Sequence, residues 1–269
     1  MQLKTEQEIT IMQKGGRFLS DILEETLNNV KPGVKLSDLD SFAENSILAR
    51  GAFPSFKKVK GYNWSICVCV NDVVVHGVPN DYVIQEKDVV GIDCGVFYQG
   101  FHTDAAWTIE VKSHPFNKLR TRKSKVKSRE KEIGVFLHCG EKALNNAINQ
   151  VKPGNYIYDI SSAIQQTVEA KGYSVVRTLV GHGVGKELHE PPEVPGIARG
   201  KRENSPQLVQ GLVLAVEVIY SLGEPEVEYK GGDGWTIATR DGKISGLFEA
   251  TVAVTSHGCV VLTPLLRSG

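Results

Sequence analysis

Neither sign of charge is in excess across the 269 residues: 31 lysines and arginines balance 31 aspartates and glutamates. That excludes the whole-surface basic field with which a protein holds nucleic acid. Apolar runs are short. The most apolar, residues 211–216, is broken by Glu217 and falls far below the ~20 residues of a membrane span. Residues 1–16 lack the uninterrupted apolar core of a signal peptide. The five cysteines (Cys67, Cys69, Cys94, Cys139 and Cys259) are odd in number and show no CxxC spacing. Reduced thiols in a soluble cytoplasmic protein are therefore expected, not a disulfide framework. At 41% hydrophobic residues, the chain can bury a core without staples, as one large α/β or α+β unit or as two small domains. Its charge is uneven only locally. Residues 112–131 carry nine lysines and arginines against the single acid Glu130, a run read as a solvated loop.

Shifted by 121 positions, residues 28–51 match residues 149–172 at nine of 24 places, a degree of self-similarity that marks a duplication. In both copies a helix stops at Lys-Pro-Gly. A short turn then leads to Asp38 or Asp159, near the start of a second helix that stops at Gly51 or Gly172. Before the first copy, Thr5 and Glu8 have the spacing of a capping box, and Ile9, Met12, Phe18, Leu19, Ile22 and Leu23 follow at helical period. Before the second, Ile133, Phe136, Leu137, Ala143, Leu144 and Ile148 do the same. Strand-like runs follow each helix pair: 65–70, 73–78, 88–97 and 101–111, then 175–180, 211–220, 235–239, 248–255 and 259–262. The expectation is an α+β fold of one domain, 1–269. Its two helix-plus-antiparallel-sheet halves, about 1–125 and 126–269, are related by a pseudo-two-fold axis, with a site where they meet.

Four acids sit awkwardly in these strands. Asp93 and Asp104 are equidistant from a hairpin turn centred between Tyr98 and Gln99, a register that sets them opposite each other with Cβ atoms about 4.5–5.5 Å apart. Glu217 stands inside the run LVLAVEVIY and Glu249 inside LFEATVAVT, each too apolar to host an unpaired charge. Asp93 and Glu217 also correspond in the repeat. Such carboxylates need either a shared proton, as in an acid dyad, or a divalent cation between them. Histidines favour the cation. His76 ends a strand before Gly77, and His182 and His189 bound a glycine-containing loop, places where site residues gather. Four carboxylates with imidazoles form a hard donor set suited to a pair of Mn, Fe, Co or Zn ions. A metal pair of that kind generates hydroxide from water and polarises a carbonyl, which points to hydrolysis.

The motifs carrying these residues are NDVVVHGVP around His76, GIDCGV around Asp93, HTDAA around Asp104, GHGVGKELHEPP spanning His182 and His189, and AVEV with LFEATVAVT at Glu217 and Glu249. In that order and over its whole length, the chain resembles the type I methionine aminopeptidases of the creatinase/aminopeptidase superfamily, the "pita-bread" fold. The resemblance implies a metal-dependent exopeptidase that removes the amino-terminal methionine of nascent proteins and peptides with a small second residue. It implies Asp93 as ligand of one ion alone, His182 and Glu217 as ligands of the other, and Asp104 and Glu249 as bridges. Glu217 would transfer the proton, His189 would stabilise the oxyanion, and His76 would contact the scissile amide, both histidines lying outside the metal shell. The methionine side chain would lie among Phe56, Val59, Tyr62, Cys67, Leu188 and Trp235, an apolar lining that suits a thioether.

There are departures from the family pattern. Val218 stands where proline is frequent and Ala250 where histidine is common; neither is a ligand, and the expected effect is on the tuning of the ligands' surroundings. The 28 positions from His189 to Glu217 leave no room for the helical insertion of type II enzymes, and no amino-terminal zinc-finger extension is expected. Two rival readings are an Xaa-Pro aminopeptidase of the same fold, which usually carries an additional amino-terminal domain, and a non-catalytic pita-bread protein that binds RNA or a partner. Loss of ligands is the expected mark of the second, and all five are present. Since this enzyme class trims nascent chains, the basic segment 112–131 is a candidate ribosome contact through phosphate-directed charge. A cytoplasmic monomer is expected.

Overall fold

The computed structural model describes residues 2–112 and 123–264. The Glu8 amide donates to the Thr5 hydroxyl while the Glu8 carboxylate accepts from the Thr5 amide. This reciprocal cap starts helix α1 (Glu6–Asn29), on which Met12, Leu19, Ile22, Leu23 and Leu27 form one buried stripe. Three more helices follow: α2 (Leu36–Ala49), α3 (Lys123–Ile148) and α4 (Ile157–Glu169). The duplicated turns share their backbone as well as their residues. Gly33 and Gly154 take φ of 91° and 87°, and the residues just before α2 and α4 make equivalent bridges, Lys35 to Val83 and Tyr156 to Gln207.

The strands of the first half are β1 (Phe53–Pro54), β2 (Ile66–Val70), β3 (Val73–Val75), β4 (Val89–Tyr98) and β5 (Phe101–Glu110). Those of the second are β6 (Ser174–Val175), β7 (Val180–Gly183), β8 (Glu190–Pro195), β9 (Val213–Ser221), β10 (Val227–Tyr229), β11 (Ile237–Thr239), β12 (Ser245–Val254) and β13 (Cys259–Val261). Ten of them form one sheet in the order β1-β4-β5-β12-β9-β7-β8, with β2 on β4, β13 on β12 and β6 on β9; β10, β11 and β3 form a small second sheet. The two halves meet where β5 lies antiparallel to β12, Ala106 facing Glu249 and Ala105 facing Ala250.

Alternation splits each central strand between two faces. Ile92, Cys94, Val96, Ala105, Trp107, Val216, Val218, Phe248 and Ala250 join the main core, under α1, which packs on β4 and β5, and α3, which packs on β9 and β12. The Tyr220 hydroxyl donates to the Phe136 carbonyl at 2.6 Å, and the two rings stack 4.3 Å apart, tying α3 to β9. Asp93, Asp104, Glu217 and Glu249 occupy the intervening positions and face the other way. Val218 and Ala250, adjacent to Glu217 and Glu249, therefore point into the helix-side core instead of the surroundings of the ligands, contrary to the expectation above.

Three other expectations are corrected. The hairpin turns at Gln99 and Gly100, both at positive φ (47° and 91°), a mirror-image turn that suits the twist of the flanking strands. Tyr98 then pairs with Phe101, Asp93 with Ala106 and Asp104 with Gly95. The two acids are diagonal, not opposite, yet a displacement of two positions keeps them on one face. Within the basic run, residues 113–122 lie outside the described residues, and the part from Lys123 onward is helix, not loop; residues 123–133 contain neither glycine nor proline to oppose it. Finally, β8 had no strand signature because its sequence is EPPEVP. It pairs only with β7, and prolines are tolerated on such an edge. Among the described residues no helix is long and apolar enough to cross a membrane.

Candidate metal centre and substrate cavity

Four neighbouring strands each bring one acid to the same face: Asp93 from β4, Asp104 from β5, Glu249 from β12 and Glu217 from β9. His182 arrives from β7, next to β9. Asp93, Asp104, His182 and Glu249 are buried, and the Glu217 side chain is 13% exposed. Asp104, His182 and Glu249 each offer a donor atom within 4.8 Å of the others. Glu217 Oε1 lies 3.5 Å from His182 Nε2, and Glu217 and Glu249 are direct cross-strand partners. Cys67 is the partner of Asp93 across β2 and β4.

The electrostatics of this cluster are unfavourable on their own. Burial is the main cause raising all four carboxyls, Asp93 to about 7 and Asp104, Glu217 and Glu249 well above their ordinary range. The Asp93 charge raises the other three further, whereas Asp104 and Cys67 pull Asp93 down. Asp93 Oδ1, Asp104 Oδ1 and Glu249 Oε1 are buried without a hydrogen-bond partner. Orphaned, buried carboxylate oxygens are costly. Among the described residues no lysine or arginine forms an ion pair with any of the four acids. His182 completes the picture. Burial, and then the neighbouring His189, lower it to about 4, so the ring is neutral. Its Nδ1 lies 2.9 Å from the Gly183 carbonyl, which assigns the proton to Nδ1 and leaves the Nε2 lone pair toward Glu217. Orphaned oxygens around a neutral imidazole are a donor set that fits divalent cations.

All the residues singled out in the sequence line one cavity: His76, Asp93, Asp104, His182, His189, Glu217 and Glu249 with Phe56, Val59, Tyr62, Cys67, Leu188 and Trp235. Val75 lines it too and was missed, although its place beside His76 was visible. His76 takes φ 55°, a left-handed conformation that histidine adopts more readily than most residues. Burial lowers the pKa of His76 and His189, and the His182 and His189 rings meet edge to face at 4.4 Å. The apolar wall is organised by Tyr62. Its hydroxyl donates to the Ile66 carbonyl at 2.9 Å and lies 3.2 Å from Cys67 Sγ. Its ring meets Phe56, Trp64 and Trp235 edge-on at 6.3, 5.3 and 5.2 Å.

Two threonines were also missed. The Thr251 hydroxyl accepts from the Asp104 amide at 2.8 Å and donates to the Asp104 carbonyl at 2.7 Å. Thr108 does the same for Leu247, at 3.0 and 2.8 Å. Both stitch β5 to β12 beside the acids, and nothing in a strand sequence distinguishes them from ordinary threonines.

The profile of metallopeptidase family M24 matches residues 10–256. The methionine aminopeptidase of Clostridium perfringens is 40% identical over 261 residues, covering 97% of this chain and 98% of that protein. The crystal structure of methionine aminopeptidase from Thermotoga maritima superposes with a TM-score of 0.87 at 36% identity, covering 98% of this chain and 99% of the other. The prolidase of Pyrococcus horikoshii shares the fold at 23% identity and a TM-score of 0.74, with 99% of this chain covered against 64% of that one.

Proposed function

Because the chain belongs to metallopeptidase family M24 and, within it, to the methionine aminopeptidases of pita-bread fold, we propose how its residues divide the work. It is a metal-dependent exopeptidase that removes amino-terminal methionine. The catalytic unit is read as the whole chain, its two halves each contributing acids. Asp93 would hold one divalent ion, His182 and Glu217 a second, and Asp104 and Glu249 both. When bound, such ions supply Lewis acidity and lower the pKa of water, the chemistry peptide hydrolysis needs.

The chain's own residues do the rest. Phe56, Val59, Tyr62, Cys67, Leu188 and Trp235 enclose the methionine side chain and exclude water around it. Glu217, whose carboxyl is raised by burial, takes the proton of the attacking water at its carboxylate and returns it to the departing amine. His189 donates an N–H to the oxygen on which charge develops, and His76 donates to the scissile amide, burial lowering the pKa of each and so favouring its neutral form. A small second residue is preferred. The observation that carries this reading is the set of orphaned carboxylate oxygens on residues that line the same cavity as the aromatic and apolar side chains.

The test is hydrolysis of Met-Ala-Ser by chelator-treated protein, restored by Mn or Co, with an Xaa-Pro peptide as control and a Met-Xaa-Ser series of increasing second-residue size. Cleavage of the Xaa-Pro peptide but not of Met-Ala-Ser would overturn the assignment. Two ions per chain, drawn from Co, Mn, Fe or Zn, are expected on metal analysis. The chain is read as a cytoplasmic monomer acting on nascent polypeptides. Ribosome contact through residues 112–131 is proposed on their charge alone; unchanged co-sedimentation after neutralising four of those basic residues would reject it.

A further inference from the structure

Ahead of α1, residues 2–5 run beside the loop that ends in His189, and Lys4 is inserted into that loop. Lys4 is 7% exposed and Glu190 5%. The Lys4 ammonium pairs with Glu190 Oε2 and donates to the Gln2 carbonyl at 2.9 Å. The other carboxylate oxygen, Oε1, accepts the Glu187 amide at 3.2 Å. The loop closes on the lysine stem so tightly that a Cβ added at Gly185 would lie 2.2 Å from Lys4 Cε. Backbone bonds anchor both sides of the insertion: Lys4 N to Gly211 O and His102 N to Gly185 O, each 2.7 Å. Gly183 and Glu190 pair across β7 and β8, so this loop is held at its mouth by residues adjacent to His182 and His189.

A buried ion pair contributes little net stability over apolar residues of the same shape, because desolvation offsets the attraction. Its directionality accounts better for a lysine here: the ammonium fixes one carboxylate oxygen of Glu190, and the other fixes the loop backbone at Glu187. We propose that Lys4 is a positioning residue, which through Glu190 holds loop 183–190 so that the His189 imidazole is aimed into the cavity. This rests on the oxyanion role given to His189 above. Lys4 touches no reacting atom and acts only through the loop.

The experiment is a double-mutant cycle of Lys4→Met with His189→Ala in the metal-loaded full chain, hydrolysing Met-Ala-Ser, with hydrogen exchange of the loop amides measured in parallel. Lys4→Met alone should lower kcat about 10–100-fold, the scale of a catalytic group displaced by about 1 Å. KM should stay within about threefold and the loop amides should exchange faster. In the His189→Ala background, adding Lys4→Met should change kcat less than about threefold. Equal losses in both backgrounds, or a Lys4→Met enzyme of unchanged kcat, would overturn the proposal. If His189→Ala alone leaves kcat unchanged, the oxyanion role itself has failed and the proposal falls with it. Should Lys4→Met not fold, Lys4→Met with Glu190→Gln removes both charges while keeping an acceptor for the Glu187 amide. It takes the same place in the cycle, with the same expected and overturning results.

Discussion

Asp93 offers the clearest test of whether the buried acids are held against their own electrostatics. Without metal, burial carries its carboxyl from 3.8 to about 7. A folded-state value above the unfolded one means that the native protein binds the proton more tightly than the unfolded chain. The associated stability is complete below about 3.8 and is lost as pH rises through about 7. Between about pH 5.5 and pH 7 that loss is ~2 kcal/mol, at about 1.4 kcal/mol per tenfold change in proton activity. Asp104, Glu217 and Glu249 act in the same direction. At about 2–4 °C per kcal/mol for a chain near this size, Asp93 should lower the Tm of chelator-treated protein by ~4–8 °C at about pH 8 relative to about pH 5.5. The shift is read as the difference between wild type and Asp93→Asn, because buried His182 and His102, each lowered to about 4, shift Tm in the opposite sense in both proteins. The rise in Tm on adding Mn should grow with pH, since cations bind the ionised carboxylates. Asp93→Asn keeps the volume without the charge. Free of metal at about pH 8, it should melt above wild type by a similar margin, respond less to Mn and lose activity, a stability–function exchange expected at such a site. Calorimetry of both proteins, with and without metal at the two pH values, decides. A wild-type apoprotein whose Tm falls over this range no more than that of Asp93→Asn, or an Asp93→Asn apoprotein no more stable than wild type at about pH 8, would refute the reasoning.

Glu217→Gln should lower kcat on Met-Ala-Ser by about 10²–10⁴-fold, the usual contribution of a proton-transfer group; near wild-type turnover after metal reconstitution would remove Glu217 from that role. Tyr62→Phe deletes the bond to the Ile66 carbonyl and should cost about 1 kcal/mol of stability. It should also raise KM for methionyl substrates with little change in kcat, measured by steady-state kinetics. Gly140→Ala would set a Cβ 2.3 Å from Phe248 Cδ2 and 2.6 Å from Tyr220 Oη. Since both rings are buried, it should destabilise by about 1–3 kcal/mol, and a denaturant titration showing no loss would contradict the packing of α3 on β9 and β12.

The acids were legible because charge in a strand of otherwise apolar residues is an electrostatic anomaly that sequence alone exposes. Glu217 and Glu249 stood out for that reason, and the repeat tied them to Asp93 in the other half. The helices were legible through caps and period, the Thr5 and Glu8 cap above all. The hairpin register was not, because the sequence fixes the parity of Asp93 and Asp104 more firmly than the turn residues. Gln99 in a left-handed conformation gives no signal of the kind that asparagine or a second glycine would. The edge strand β8 is hidden by its prolines, and the environment of Val218 and Ala250 does not follow from their adjacency to Glu217 and Glu249 in sequence. In a strand, adjacent residues lie on opposite faces.

The same alternation explains how one sheet serves both stability and chemistry. Positions facing the helices carry Val216, Val218, Phe248 and Ala250 and fill the core; those between them bear the acids, which gain nothing from folding until a cation arrives. The weak point is the junction of the halves, where β5 and β12 share a register of only Glu249 with Ala106 and Ala250 with Ala105. Here Thr251 binds both the amide and the carbonyl of Asp104, so one hydroxyl from the second half fixes the backbone of an acid from the first. Thr108 and Leu247 repeat the device in the opposite sense, a first-half hydroxyl holding second-half backbone. The spacing between Asp104 and Glu249, the two acids proposed to bridge the ions, is thus set by side-chain hydroxyls where the strand ladder runs out. This is why neither half could assemble the centre without the other.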